Sequence, residues 1–145
     1  MIDLLLLYVF AFFSALLHEI MHFIMALIFH IPIVNVKIGS DWPQLKIGKF
    51  LISPCLGISY VTTEYEPVLL LPKIKKVIYF ISGIIINLFL SCIFLTVYHY
   101  TNQYIMFLAS VLNLLVAIGN SLPIGNTDIS TLIKLIKKSS VQNKK

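Results

Sequence analysis

The chain contains 51 consecutive residues, 77–127, without a single Asp, Glu, Lys or Arg side chain. Roughly one quarter of an average soluble domain is charged, so an uncharged stretch of this length does not suit a solvated surface. A helix that crosses a hydrocarbon core of roughly 30 Å needs about 20 predominantly apolar residues. The sequence therefore predicts a multi-pass integral membrane protein.

Three apolar runs have the length of a membrane span. A polar break at 98–103 divides the uncharged stretch into spans at about 77–97 and 104–122, and another apolar run at about 4–29 precedes them. Ile31-Pro32 closes that first run because proline cannot continue a helix. We expect a membrane all-α core of three transmembrane helices, in a single domain over residues 1–145.

All eleven basic residues are lysines, and they fall into two groups. The first group lies in the connecting segment and the second at the C-terminus: Lys37, Lys46, Lys49, Lys73, Lys75 and Lys76, then Lys134, Lys137, Lys138, Lys144 and Lys145. Because lysines mark the cytoplasmic side of a membrane, we expect both groups on the cytoplasmic side of a bacterial cell membrane and the N-terminus on the outside. This grouping favours the lipid bilayer, not nucleic acid, as a partner.

The segments outside the spans have patterns of their own. Val34, Val36 and Ile38 alternate with polar residues, which predicts a short membrane-associated β-hairpin or ribbon within about 33–61. After Pro123, apolar residues recur at helical spacing opposite lysines. That spacing predicts a C-terminal amphipathic surface helix at about 128–138.

The first span contains the motif HExxH at His18, Glu19 and His22. Residues four apart on a helix share one face, so both imidazoles can bind the same zinc ion, and Glu19 can then act as a general base. With this composition the motif would arise by chance about two times in a thousand. Ionisable groups inside a span also carry an insertion penalty, about 2.5–3.5 kcal/mol for an Asp or Lys at mid-helix, and a bound metal would compensate it.

A less specific interpretation is that His18 and His22 only hydrogen-bond to neighbouring helices and that Glu19 pairs with one of them. A catalytic zinc commonly has three protein ligands, so a third must be found. The candidates are Asp128, His30, His99 and the acids of the middle segment. Asp128 is favoured because it follows a span that ends on the inner side, and His18 lies ~21 Å along its span, in the inner half of the bilayer.

Three segments together resemble the site-2 proteases, intramembrane zinc metalloproteases with a three-helix core. They are the HExxH helix, the segment Ser82-Gly83-Ile84-Ile85-Ile86-Asn87, which is similar to the family's Ala-Gly-Pro-x-x-Asn, and Asn120–Asp128, which is similar to Asn-x-x-Pro-x-Pro-x-Leu-Asp-Gly. The resemblance implies that Asp128 is the third zinc ligand and that Asn87 and Asn120 bind substrate.

The chain also departs from the family pattern. Ile84 and Gly125 stand where the family has proline, and Ile129 stands where it has glycine. Asp128 could instead cap the surface helix, and Asn87 could be a plain interhelical hydrogen-bonding residue.

The expected function is hydrolysis of a peptide bond in a membrane-embedded peptide or single-span protein, with one Zn²⁺ as cofactor. Catalysis would use Glu19, with His18, His22 and Asp128 as metal ligands. A segment at 33–52 would hold the substrate extended by strand addition. The alternatives are a catalytically inactive membrane chaperone or binding subunit that retains the protease fold, and a metal transporter.

Overall fold

The computed structural model describes residues 2–142, and Lys144 and Lys145 of the C-terminal lysine group lie outside them. The described chain contains five helices and four strands. In chain order they are α1 (Ile2–Ile28), β1 (Ile33–Ile38), β2 (Leu45–Ile47), β3 (Phe50–Ile52), β4 (Tyr60–Thr63), α2 (Tyr65–Leu70), α3 (Lys73–Thr101), α4 (Tyr104–Ser121) and α5 (Asp128–Gln142).

Helices α1, α3 and α4 are each long and apolar enough to cross a membrane. That part of the predicted fold class is confirmed. Helix α3 is longer than the predicted second span at both ends. Its C-terminal end reaches Thr101 because the break before α4 is confined to Asn102 and Gln103. Asn102 adopts a left-handed conformation, and its N–H donates to the carbonyl of Tyr98, so the polar residues before it still belong to α3.

Many large apolar side chains on these three helices are exposed. They include Leu4, Leu5, Phe13, Leu27, Ile85, Phe89 and Leu115. A soluble monomer rarely exposes contiguous apolar surface on this scale, whereas lipid tails solvate it well. The exposed surface is compatible with a multi-pass membrane protein.

The connecting segment forms a four-stranded sheet in the order β2-β3-β1-β4, which is more than the predicted hairpin or ribbon. A β2–β3 hairpin is present, but β1 pairs in parallel with β3 and antiparallel with β4. The expected alternation also fails within β1, where Val34 is exposed and Lys37 is buried with its ammonium 2.6 Å from Asp41 Oδ1. An alternating pattern indicates a strand but not its partners, so these non-local pairings were not predicted.

A hydrophobic core joins the end of α1, the sheet, α3 and α5. Its buried members include Ala26, Ile31, Val36, Ile38, Val68, Leu69, Tyr79, Leu132 and Leu135. At the start of α3, the Lys76 ammonium donates to Ser139 Oγ of α5 at 2.8 Å. This packing holds β4 and the start of α5 against the half of α1 that carries the HExxH motif.

Candidate metal centre

The HExxH motif lies within the unbroken helix α1. His18, Glu19 and His22 are all buried, with 5–6% of their surface exposed. The His18 and His22 rings, four residues apart on one face, have centroids 4.9 Å apart and Nε2 atoms 3.2 Å apart. Both Nε2 atoms therefore point towards the same small volume.

Asp128, at the start of α5, brings a carboxylate to this volume. Its Oδ2 lies 3.2 Å from His18 Nε2, and its Oδ1 lies 3.4 Å from His22 Nε2. The alternative role of Asp128 as the helix cap is taken by Thr127, whose Oγ1 accepts a hydrogen bond from the Ser130 N–H. The Asp128 side chain is thereby free to face the imidazoles.

The left-handed backbone at Gly125 helps to bring Asp128 to this position. Gly125 has a φ of +60°, a value that proline cannot adopt because its ring holds φ near −65°. A proline at this position could therefore not form this turn. The ligand candidate nevertheless reaches the two histidines.

The separations of the donor atoms are of the size that a tetrahedral zinc site requires. Zn–N and Zn–O bonds of about 2.0–2.1 Å at tetrahedral angles place neighbouring ligand atoms about 3.3 Å apart. The two Nε2 atoms are 3.2 Å apart, and each lies 3.2–3.4 Å from a different oxygen of the Asp128 carboxylate. Within residues 2–142, the ligand atoms of His18, His22 and Asp128 lie close enough together to hold a metal ion.

Gly83 of α3 leaves the space next to both imidazoles free. A Cβ added at this position would lie 2.5 Å from His18 Nε2 and 2.6 Å from His22 Nε2. Real Cβ atoms are not found so close to other heavy atoms. The absence of a side chain at Gly83 therefore keeps open the place where the two ligand atoms converge, as a bound ion requires.

His22 is oriented by the main chain of α3. Its Nδ1 lies 3.0 Å from the carbonyl oxygen of Tyr79. A carbonyl only accepts hydrogen bonds, so Nδ1 carries the proton, and the Nε2 lone pair is available to a metal. A carbonyl partner behind a ligating histidine is a common feature of metal sites.

His18 has Asn87 behind it. Asn87 is completely buried, its Nδ2 lies 2.9 Å from His18 Nδ1, and its Oδ1 has no hydrogen-bond partner among the described residues. A half-turn of the amide exchanges these two atoms. Oδ1 then accepts from Nδ1–H, which leaves the His18 Nε2 lone pair for the metal.

Asp128 is ionised and incompletely satisfied. Burial raises the pKa of its carboxyl group, but hydrogen bonding from the His18 and His22 rings and their positive charge when protonated outweigh this and lower it to about 2; a cation held between these side chains would favour the ionised carboxylate in the same way. Its Oδ2 is buried and receives no hydrogen bond from residues 2–142. A deprotonated carboxylate with an unpaired oxygen facing two imidazole nitrogens is a suitable donor set for a divalent cation.

Glu19 faces the same cavity as the three candidate ligands. The cavity has a volume of about 530 Å³ and is also lined by Asn120 and by the segment from Gly57 to Val61. The backbone of Val61 lies beside the Glu19 carboxyl group. Glu19 is thus placed to act on a molecule in the cavity and is not a member of the ligand group.

The two predicted substrate-binding asparagines occupy different positions. Asn120 lines the cavity, and its Nδ2 also donates to the Val116 carbonyl at 3.2 Å. Asn87 lies behind His18, where it is inaccessible to solvent. Substrate contact remains a prediction for both, and the position of Asn87 suits a role in orienting His18.

Two other histidines were candidate ligands, and the structure does not bring them to the site. His30 follows the end of α1, His99 lies in the last turn of α3, and both are exposed. The sequence also did not assign roles to Gly83, the Tyr79 carbonyl or β4. A glycine beside a serine in an otherwise bulky apolar helix was the available signal for a close helix approach at Gly83.

Comparison with protein-family models, curated proteins and solved structures gives no match to this chain.

Proposed function

We propose that the protein is an intramembrane zinc metalloprotease, a minimal member of the site-2 protease family, that hydrolyses a peptide bond in a membrane-embedded peptide or single-span protein. One observation carries the proposal. His18 Nε2, His22 Nε2 and an Asp128 carboxylate converge at tetrahedral separations, with Glu19 in the same cavity. This constellation combines a three-ligand metal site with an adjacent general base.

Each side chain has a distinct task in this mechanism. His18, His22 and Asp128 would hold the ion, and Tyr79 and Asn87 would keep the imidazoles in the binding tautomer. A zinc ion held there would act as a Lewis acid that polarises a scissile carbonyl and lowers the pKa of water. The Glu19 carboxylate accepts a proton from the attacking water and donates it to the departing amine, so that one water and one amide yield a carboxylic acid and an amine.

Strand β4 is the element best placed to hold a substrate. It pairs with β1 on one side, and its other edge has no strand partner within residues 2–142. Tyr60 and Val61 of this strand line the cavity that contains Glu19. An extended peptide added to this edge would present its amide bonds to the site, so we assign strand addition to β4 instead of the predicted 33–52 segment.

Substrates and water are expected to reach the cavity from the lysine-bearing side of the membrane, which we take as cytoplasmic. The predicted position of His18 in the inner half of the bilayer supports access from that side. A helical segment has its amides already paired, so cleavage requires local unwinding. Pairing with the β4 edge would stabilise the unwound segment.

The test is zinc content together with Glu19-dependent cleavage. Protein purified in phosphatidylcholine nanodiscs should contain about one zinc per chain. A library of single-span peptides should yield products whose formation falls by about 100-fold or more in Glu19→Gln, because the general base is lost. The matched control is Asp3→Asn, which removes an exposed carboxylate near the N-terminal end of α1 and should leave cleavage unchanged.

The alternatives give different results in the same experiment. An inactive chaperone or binding subunit would bind peptides without cleaving them, and Glu19→Gln would leave its cellular activity intact. A transporter would move zinc across vesicle membranes. Cleavage that persists unchanged in Glu19→Gln would eliminate the mechanism proposed above.

A further inference from the structure

A second cavity of about 510 Å³ adjoins the metal-site cavity. The two share lining residues, Val61, Tyr79, Phe80 and Thr131, so they are continuous along β4. The second cavity lies between the end of β4, the start of α2 and the second turn of α5 onwards. We call it the lysine groove, because Lys134 and Lys138 line it.

The charge of the lysine groove is positive and is not neutralised within the described chain. Lys134 Nζ donates to the Gly125 carbonyl at 3.1 Å, and Lys138 Nζ lies 4.6 Å from the centre of the Tyr65 ring. Neither ammonium forms an ion pair with a carboxylate of residues 2–142, and no acidic side chain of that part of the chain lines the groove. Both ammonium groups are oriented by neutral partners and keep their charge for a ligand.

Strand β4 runs along both cavities, so positions in and just after it give the distance from one cavity to the other. Val61 contributes to both cavities, and Tyr65, four positions later in the sequence, contributes only to the lysine groove. β4 ends at Thr63 and Glu64 is still extended, so at about 3.3 Å per residue the interval up to the start of α2 corresponds to about 13 Å, or four residues of an extended peptide.

We propose that the lysine groove is a substrate subsite for a side-chain carboxylate, Asp or Glu, about four residues from the scissile bond. The proposal rests on the proteolytic function proposed above and adds to it a substrate class. Continuity with the metal-site cavity and the shared strand edge identify an extended peptide as the occupant, and two unpaired ammonium groups select an acidic residue. Thr62 and Thr63 of the same strand also line the lysine groove.

The binding test uses Glu19→Gln protein in phosphatidylcholine nanodiscs. The probes are C-terminally amidated, fluorescent single-span peptides that differ only in carrying Glu or Gln at one position beyond the span, scanned residue by residue. We expect the best Glu peptide to bind about fivefold or more tightly than its Gln counterpart. The preference should disappear in Lys134→Gln/Lys138→Gln and persist in Lys134→Arg/Lys138→Arg.

The matched control is Lys46→Gln/Lys73→Gln, which removes two exposed lysines and causes the same change in net charge. It should retain the preference for Glu. If the control loses the preference equally, or if no Glu position binds better than Gln, the subsite does not exist. If the Lys134/Lys138 change only weakens association with vesicles containing phosphatidylglycerol, the lysines contact lipid and the proposal is wrong.

Cleavage by the unaltered protein separates this proposal from the proposed function. Mass spectrometry of the products locates the scissile bond, and kcat/KM should be highest for Glu three to five residues from it. Cleavage that depends on Glu19 but not on the position of the acidic residue rejects the subsite alone. Cleavage that does not depend on Glu19 rejects the protease mechanism, whatever the peptide preference.

Discussion

Two buried polar clusters join neighbouring helices, and they differ in how their hydrogen bonds are satisfied. In the first, Ser91 of α3 and Ser110 of α4 each donate to the other's backbone carbonyl at 2.9 Å. In the second, the imidazole Nε2 atoms of His18 and His22 on α1 and the carboxylate of Asp128 on α5 lie 3.2–3.4 Å from one another. The serine pair is complete in itself, whereas the second cluster brings together side chains that could hold a metal ion.

This difference distinguishes polar groups that join helices from polar groups that bind a ligand. A closed pair in an apolar environment stabilises the packing of two helices and offers nothing to a third molecule. Converging acceptors repel one another, and a cation between them would remove that repulsion, so a cluster of this kind is suited to binding a ligand. Substitutions in the serine pair should therefore lower the stability of the protein, whereas substitutions around His18 and His22 should lower its metal affinity.

The largest effect is expected at Gly83, where an added Cβ would have the His18 and His22 rings as its nearest neighbours. Gly83→Ala places a methyl group within 2.5–2.6 Å of both ligand nitrogens, and it is accommodated only if the imidazoles move. If the imidazoles move, their Nε2 atoms no longer converge on one point, so zinc affinity should fall by about 100-fold or more. A competition titration with a chromophoric chelator measures this change.

Gly119→Ala is the matched control, because an added Cβ at that helical glycine meets nothing within 4 Å. It should bind zinc as the unaltered protein does. Equal zinc affinity for both glycine variants would mean that the convergence of His18 and His22 on one point is not the metal site.

Asn87 should have the next largest effect, through His18. Asn87→Leu removes the acceptor behind Nδ1, so the metal-binding tautomer loses its partner and zinc affinity should fall about 10–100-fold. Asn87→Asp restores an acceptor and should keep the affinity close to that of the unaltered protein. A similar loss in both variants would show that the volume or neutrality of the amide matters, not its hydrogen bond to His18.

The same comparison explains what the sequence could predict. The HExxH spacing places His18 and His22 on one helical face whatever the rest of the fold does, because helical geometry is local. The length of the apolar runs similarly identifies the three apolar helices. Both predictions rest on interactions within one element.

Features that depend on contacts between distant segments were harder to predict. The parallel pairing of Val36 with Phe50 and the antiparallel pairing of Val36 with Val61 follow from the packing of the whole connecting segment, so the sequence indicated only a ribbon. Asp128 was expected at the site from its place after a span and from a family resemblance, since no local rule connects residues 18 and 128. The contacts of Gly83 and Asn87 with the imidazoles exist only once α1 and α3 are packed together.

The smallest effect is expected at the serine pair, and it should be confined to stability. Ser91→Ala and Ser110→Ala each remove one interhelical hydrogen bond, which costs about 0.6–1.7 kcal/mol in a membrane protein. Reversible unfolding in a membrane-mimetic, arranged as a double-mutant cycle, measures the coupling between the two hydroxyls. Zinc affinity, titrated on the same variants, should not change. A loss of zinc affinity as large as that of Asn87→Leu would instead mean that the two clusters act as one network through α3, because Asn87 lies one helical turn from Ser91.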